Sequence, residues 1–204
     1  MKQRKAQCDR KSKETEIKLN LNIDGQGKTK IKTNIGILDH MIELFAFHGF
    51  FDLDINVKKA DLNVDIHHTN EDVGIVLGKA FKEALGDKAG IRRFGFGAAP
   101  MEATLAEFVI DISGRGYFRM DFDSKVPPAS ATQDGYAFKY LEHFLESFAH
   151  SLGANVNLRM YNLSNDLHTN LETVFKSFGL ALDAATRIDL RRKSLVPSTK
   201  GIID

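Results

Sequence analysis

Two stretches about a hundred residues apart carry nearly the same text, His67-His68-Thr69-Asn70-Glu71 and Leu167-His168-Thr169-Asn170-Leu171-Glu172. A chain that repeats itself in this way is expected to fold as two like halves. The surrounding pattern agrees. Glu16 to Asp24 alternates, with Ile17, Leu19, Leu21 and Ile23 on one side, which predicts a half-buried strand. Asp24-Gly25-Gln26-Gly27 turns the chain into a second strand near 28–33. The spacing of Ile37, Met41, Leu44 and Phe45 predicts a helix over 35–47. Phe51 to Val57 alternates again, and 70–85 reads as a long helix ending at Gly86. In the second half, 104–112 and 117–122 read as strands joined by a Ser113-Gly114 turn. A helix over 137–152 follows the loop around Pro127-Pro128, then a strand over 155–161 and a helix over 171–187. Each half is strand, strand, helix, strand, helix, so the class is α+β with internally duplicated half-domains. The expected divisions are a flexible N-terminus (1–10), half-domains over 11–95 and 96–190, and a C-terminal tail (191–204).

The chain has seven histidines, and five occupy equivalent places in the two halves. Residues four apart share a helix face, so His67 with Glu71 and His168 with Glu172 each make a two-ligand pair. Each half is expected to add its own upstream histidine, His40 or His143, which precede His67 and His168 by 27 and 25 residues. His68 lies about 100° round the helix from His67 and should meet a different partner. Imidazole and carboxylate without thiolate suit Mn²⁺, Fe²⁺ or Zn²⁺, and two clusters imply two ions. A lone histidine is more often a helix cap or a hydrogen-bonded core group; the repetition argues against that here. No His-Glu-x-x-His occurs, which disfavours a zincin-type protease. His48 and His150 lack such partners and are expected to be structural.

The formal net charge of +1 gives no global field for nucleic acid or an anionic membrane. An anionic substrate therefore needs a local cluster of basic groups. Arg92-Arg93, Arg115 and Lys200 sit beside Gly and Ser in turn-forming loops, where guanidinium forks and hydroxyls suit phosphate. Lys176 lies one turn beyond Glu172. Gly27-Lys28-Thr29 is no P-loop, since Asn22 stands where the first glycine is needed, and Gly95-Phe96-Gly97 lacks the third glycine of a dinucleotide site. A single cysteine, Cys8, excludes an internal disulfide. Met1 to Ser12 is basic and polar without a following apolar stretch and reads as a frayed terminus. No apolar run is long enough to span a bilayer; the expected location is cytoplasmic.

From about Arg10 onward the chain resembles the imidazoleglycerol-phosphate dehydratase family. The matching stretches include Lys13-Glu14-Thr15, Leu38-Asp39-His40-Met41, His67 to Gly74, Arg92-Arg93-Phe94-Gly95, Asp111-Ile112-Ser113-Gly114-Arg115, Glu142-His143-Phe144, Glu172 with Phe175-Lys176, and Pro197 to Gly201. The resemblance implies a duplicated subunit in which two sheets flank a helical layer, assembled into a hollow cubic shell with sites between subunits. It implies a hydro-lyase of histidine biosynthesis that dehydrates imidazole glycerol phosphate to imidazole acetol phosphate, with two Mn²⁺ per site. Carried over, the metal ligands are His40, His67, His68, Glu71, His143, His168 and Glu172. Arg93, Arg115, Lys176, Ser198 and Lys200 hold phosphate or substrate. Glu14 is the acid/base, with His68 and Glu172 also in catalytic positions.

The chain departs from the family around its second motif. Thr169 stands where the second histidine belongs if the motif is counted back from Glu172. Counted from upstream, Leu167 replaces the first histidine instead. Ile66, Glu102-Ala103 and Asn157 replace a usual Asp, Asp-Glu and His. Loss of such supporting groups often costs roughly 10–100-fold in metal affinity or activity. Two further readings follow: a weakly active or non-catalytic homologue that keeps the shell, and a dimetal phosphate-ester hydrolase.

Overall fold

The computed structural model describes residues 4–123, 132–192 and 195–203; the loop around Pro127-Pro128 lies outside them. The alternating runs form two four-stranded sheets of one design. Sheet 1 holds β1 (Lys5–Lys11), β2 (Glu16–Asn22), β3 (Thr29–Lys32) and β4 (Asp52–Lys59) in the order β1-β2-β4-β3. Sheet 2 holds β5 (Phe94–Met101), β6 (Thr104–Asp111), β7 (Tyr117–Phe122) and β10 (Asn155–Tyr161) in the order β5-β6-β10-β7. The order is the same in both. The turns after β2 and β6 do not close hairpins, because β4 and β10 insert between the strands they join. β3–β4 and β7–β10 are parallel pairs, and parallel neighbours need a crossover. The crossovers are α1 (Gly36–His48) and α3 (Phe138–Leu152).

Each half therefore sends three strands into its four-stranded sheet before its first helix, one more than the pattern predicts. The first strand is the one missed, for two physical reasons. The segment expected to be flexible, 1–10, contains most of β1, which pairs with β2 along its whole length. Its inner face carries Ala6, Cys8 and Arg10, too polar to register as alternation. Arg10 is used there: its guanidinium lies 2.8 Å from the buried Asp72 carboxylate of α2 (Ile66–Leu85), which also accepts a 2.5 Å hydrogen bond from Thr15. β5 inverts the usual rule, with Gly95, Gly97 and Ala99 buried while Phe94 and Phe96 are exposed. The backbone of α4 (Leu167–Thr186) runs so close to Gly95 and Gly97 that a Cβ at either would strike the carbonyls of Ala181 and Ser177. The expected half-domain boundary at 95/96 falls inside this strand.

Both long helices begin four residues earlier than expected, at Ile66 and Leu167, so the histidine pairs lie on their first turns. α1 and α2 pack on sheet 1, α3 and α4 on sheet 2, and the layers meet through α1 against α4 and α2 against α3. Two sheets thus flank a helical layer. Gly78 of α2 abuts the carbonyl of Phe148, and Gly179 of α4 abuts that of Phe45. These matched contacts fix the register of each long helix against the shorter helix it packs on. Phe178 ties the halves together, stacking on Phe45 at 4.3 Å and on Phe108 at 4.8 Å. Among the described residues no helix is long and apolar enough to cross a membrane.

Candidate metal centre

The helix register decides which histidine corresponds to which. Both long helices have 20 residues and start one residue before a histidine. With Gly78 matched to Gly179, His168 corresponds to His67, Glu172 to Glu71 and Thr169 to His68. Thr169 is buried and hydrogen-bonds Asp166.

Each cluster draws on both halves, which corrects the expectation that a half supplies its own upstream histidine. α1 packs on α4, so His40 joins His168 and Glu172. α3 packs on α2, so His143 joins His67. In the first of these nests His168 Nε2 lies 2.9 Å and His40 Nε2 3.2 Å from the same oxygen, Glu172 Oε1. The ligand atoms of the three side chains fall within 4.8 Å of one another. Lys176 Nζ pairs with the other oxygen, Oε2. Burial raises the Glu172 carboxyl, but the hydrogen bonds from Lys176, His40 and His168 outweigh it and hold it at about 2.

The nest fits a divalent cation. Ligands about 2.1 Å from a metal in octahedral geometry are separated by about 3 Å along an edge, the spacing each imidazole nitrogen already has from Glu172 Oε1. Their all-nitrogen-and-oxygen character suits a metal such as Mn²⁺ or Zn²⁺.

The other histidines are arranged differently. His67 meets His143 through Nδ1 at 2.8 Å and Glu71 through Nε2 at 3.3 Å, from opposite sides of its ring. His68 turns away to Asp61, at 2.8 Å, with Glu14 3.9 Å off. The hydrogen bond to Asp61 raises the His68 pKa; burial opposes it, and the charges of Glu14, Asp61 and Glu71 add to the rise. Asp61 went unread in the sequence, for it lies in a loop with no periodic signal. Its only mark is a carboxylate seven residues before His68.

The basic residues expected at phosphate gather elsewhere. Arg93 grips Asp111 with two hydrogen bonds of 2.6 and 3.0 Å and donates to the Pro197 carbonyl at 3.0 Å, tying down the tail that carries Ser198 and Lys200. Asp111, part of a stretch the sequence shares with the family, is thus the residue that orients Arg93. Arg93 sits at φ 77°, costly for a residue with a side chain, fixed by backbone bonds to Ala185 and Ile112. Ser113 Oγ accepts from the Arg115 amide at 3.4 Å in the adjoining turn. Lys176 alone of this set stands in the nest. Ala185 lies 17 residues along α4 from His168 (185 − 168), which is about 25 Å at 1.5 Å per residue. The nest and the basic edge of one chain are thus far apart. Two surface clefts of about 610 and 800 Å³ contain none of the ligand residues.

His150 lies 3.9 Å from Glu146, and His48 closes α1. Ile66, in the place of the usual Asp, lies toward the Gly135 turn.

The family model described as imidazoleglycerol-phosphate dehydratase matches residues 33–182. The chain belongs to the imidazoleglycerol-phosphate dehydratase family. It is 47% identical over 201 residues to the imidazoleglycerol-phosphate dehydratase of Thermoanaerobacter sp. (strain X514), covering 98% of this chain and all of that one. The Geobacter metallireducens dehydratase is 44% identical over 199 residues, covering 97% and 98%. The fold is similar to the crystal structure of the Staphylococcus aureus dehydratase, with a TM-score of 0.77, 29% identity and 91% and 99% coverage. It is also similar to the Pyrococcus furiosus enzyme in complex with (S)-C348, with a TM-score of 0.79, 34% identity and 96% and 99% coverage.

Proposed function

We propose that the chain is a metal-dependent hydro-lyase that dehydrates imidazole glycerol phosphate to imidazole acetol phosphate in histidine biosynthesis. The observation that carries the chemistry is the convergence of His40, His168 and Glu172, two imidazoles and a carboxylate from helices of opposite halves. These three hold one cation, Mn²⁺ in our reading; His67, Glu71 and His143, with His68, are the donors for a second. A bound cation would act as a Lewis acid on the imidazole ring and as a template for it. Glu14 exchanges protons with the substrate carbon chain, and His68, 3.9 Å from it, stands in the neighbouring catalytic position. Arg115, Ser198 and Lys200 hold the phosphate, with Arg93 setting the tail in place.

The separation of about 25 Å between nest and basic edge supports a site assembled from neighbouring copies. His67 and His68, which face four different partners within one chain, are in keeping with ligands completed by another subunit. The outer face of sheet 2 exposes Phe94, Phe96, Val109 and Tyr117, whereas sheet 1 shows Lys, Asp, Glu and Asn there. Exposed apolar patches of this kind mark interfaces, which supports a large homo-oligomer with the cubic shell of the family. A cytoplasmic location fits a biosynthetic enzyme. The weakly active homologue is not favoured: the phosphate-side residues and Glu14 are all present.

The test is metal content after purification without chelator, combined with a dehydratase assay in Mn²⁺. Two Mn²⁺ per chain with product formation are expected. An intact oligomer that forms no product with Mn²⁺ would overturn the proposal.

A further inference from the structure

His168 has a second side that the metal reading leaves unused. Its Nε2 lies 2.9 Å from Glu172 Oε1, and its Nδ1 lies 3.3 Å from the side-chain nitrogen of Gln133. A carboxylate only accepts, so Nε2 carries the hydrogen, and in the neutral ring Nδ1 is then an acceptor for the Gln133 N–H. Gln133 Oε1 is meanwhile buried without a hydrogen-bond partner among the described residues. A histidine that binds a cation through Nε2 needs the opposite tautomer, with its hydrogen on Nδ1 and a group to receive it. Gln133 has that group in reserve. Half a turn of its amide brings the unpaired oxygen to where the nitrogen stands.

The backbone under Gln133 is built to hold it in place. Thr132–Gln133 (β8) pairs with Tyr136–Ala137 (β9). Tyr136 is buried, and its hydroxyl donates to Asn70 Oδ1 at 2.8 Å, while the Asn70 amide donates to the Tyr140 carbonyl at 2.7 Å. β8 packs on α4 beside His168. In the other nest no amide among the described residues plays this part, and His67 Nδ1 faces His143 instead.

We propose that Gln133 is a positioning residue for the His40–His168–Glu172 nest. It holds one His168 tautomer in the empty nest and, with its amide turned, the cation-binding tautomer in the loaded one. Gln133 thereby sets the affinity of this nest, a statement that rests on reading the nest as a divalent-cation site.

The experiment titrates Mn²⁺ into the metal-stripped full-length protein, following the free-ion resonance, for the parent, Gln133→Met and Gln133→Glu. Melting curves report folding, and nitrogen NMR of the His168 ring reports its tautomer. The parent should bind two ions per chain. Gln133→Met should weaken one of them by about 10–100-fold, the usual size of a lost supporting hydrogen bond. Gln133→Glu, whose carboxylate only accepts, should tighten the same event and shift the hydrogen of the empty His168 to Nδ1. Should Gln133→Met unfold, Gln133→Glu decides alone. Unchanged affinities in both variants, or equal weakening in both, would overturn the role of Gln133 and leave the nest standing. A parent that binds no Mn²⁺ would overturn the nest and this inference together.

Discussion

The two halves share one topology and differ at their histidines, in a direction opposite to their sequences. The first half keeps the whole His-His-x-x-Glu motif, yet its side chains disperse, His67 to His143 and His68 to Asp61. The second half has lost a histidine to Thr169, yet His168 and Glu172 close with His40 on a single point. The histidines of a complete motif therefore need not meet in one nest, for His68 converges with Asp61 and Glu14 while His67 does not join them. Convergence comes from what packs opposite: α1 brings His40 to Glu172, and the β8–β9 hairpin brings Gln133 to the back of His168. In the first motif His143 stands behind His67, and a loop carboxylate, Asp61, together with Glu14 takes His68. Duplication supplied equal parts, and unequal surroundings gave them different work.

The largest expected effect breaks the comparison at its catalytic end. Glu14→Gln should lower kcat by about 10²–10⁴, the usual worth of a general acid–base group, with bound Mn²⁺ unchanged. An equal loss of metal would make Glu14 a ligand rather than a base. Next in size, Arg10→Ala should destabilise the fold by about 2 kcal/mol, since Asp72 loses a charged hydrogen-bond partner. Its denaturation midpoint tests whether β1 is as firmly held as the glycine-lined β5. Thr169→His should sharpen the contrast between nests by raising Mn²⁺ affinity about 10-fold, or roughly 1.4 kcal/mol, seen by calorimetry. An unchanged affinity would mean that position 169 does not face the ion.

The smallest effect compares the turns. In the first half Asp52 accepts from the amides of Gln26 at 2.8 Å and Lys28 at 3.1 Å, whereas the matching turn of the second half is tied by backbone, Gly114 N–H to the Gly153 carbonyl at 2.7 Å. Burial raises the Asp52 carboxyl, but those amides and Asn22 outweigh it and hold it below the ordinary value of 3.8. A carboxyl depressed in the folded state adds stability that is present above its unfolded value and is lost as pH falls through the folded one. Asp52→Asn should therefore flatten the acid limb of the stability curve below about pH 4, measured by urea titration at several pH values. An unaltered limb would show that this turn gains nothing from its charge.

The strands with apolar inner faces were legible because β2, β4, β6 and β10 alternate in the simplest way. β1 and β5 were not, since one turns a charge inward and the other turns glycine inward and phenylalanine outward. Both long helices start four residues before their core periodicity does, because their first turns, Ile66 to Thr69 and Leu167 to Asn170, are mostly polar. The ligand residues were legible as types and spacings. Their partners were not.

By itself, then, the sequence determined that the chain is doubled, which residues can bind a cation, and that Glu71 and Glu172 stand one turn beyond their histidines, for these follow from local periodicity. Only the tertiary structure decided that His40 serves the opposite half, that His68 leans on Asp61, and that Gln133 backs His168. The physical reason is that those pairings depend on which helix lies against which. That choice is made where Gly78 and Gly179 let the carbonyls of Phe148 and Phe45 come close, a contact spanning distant parts of the chain.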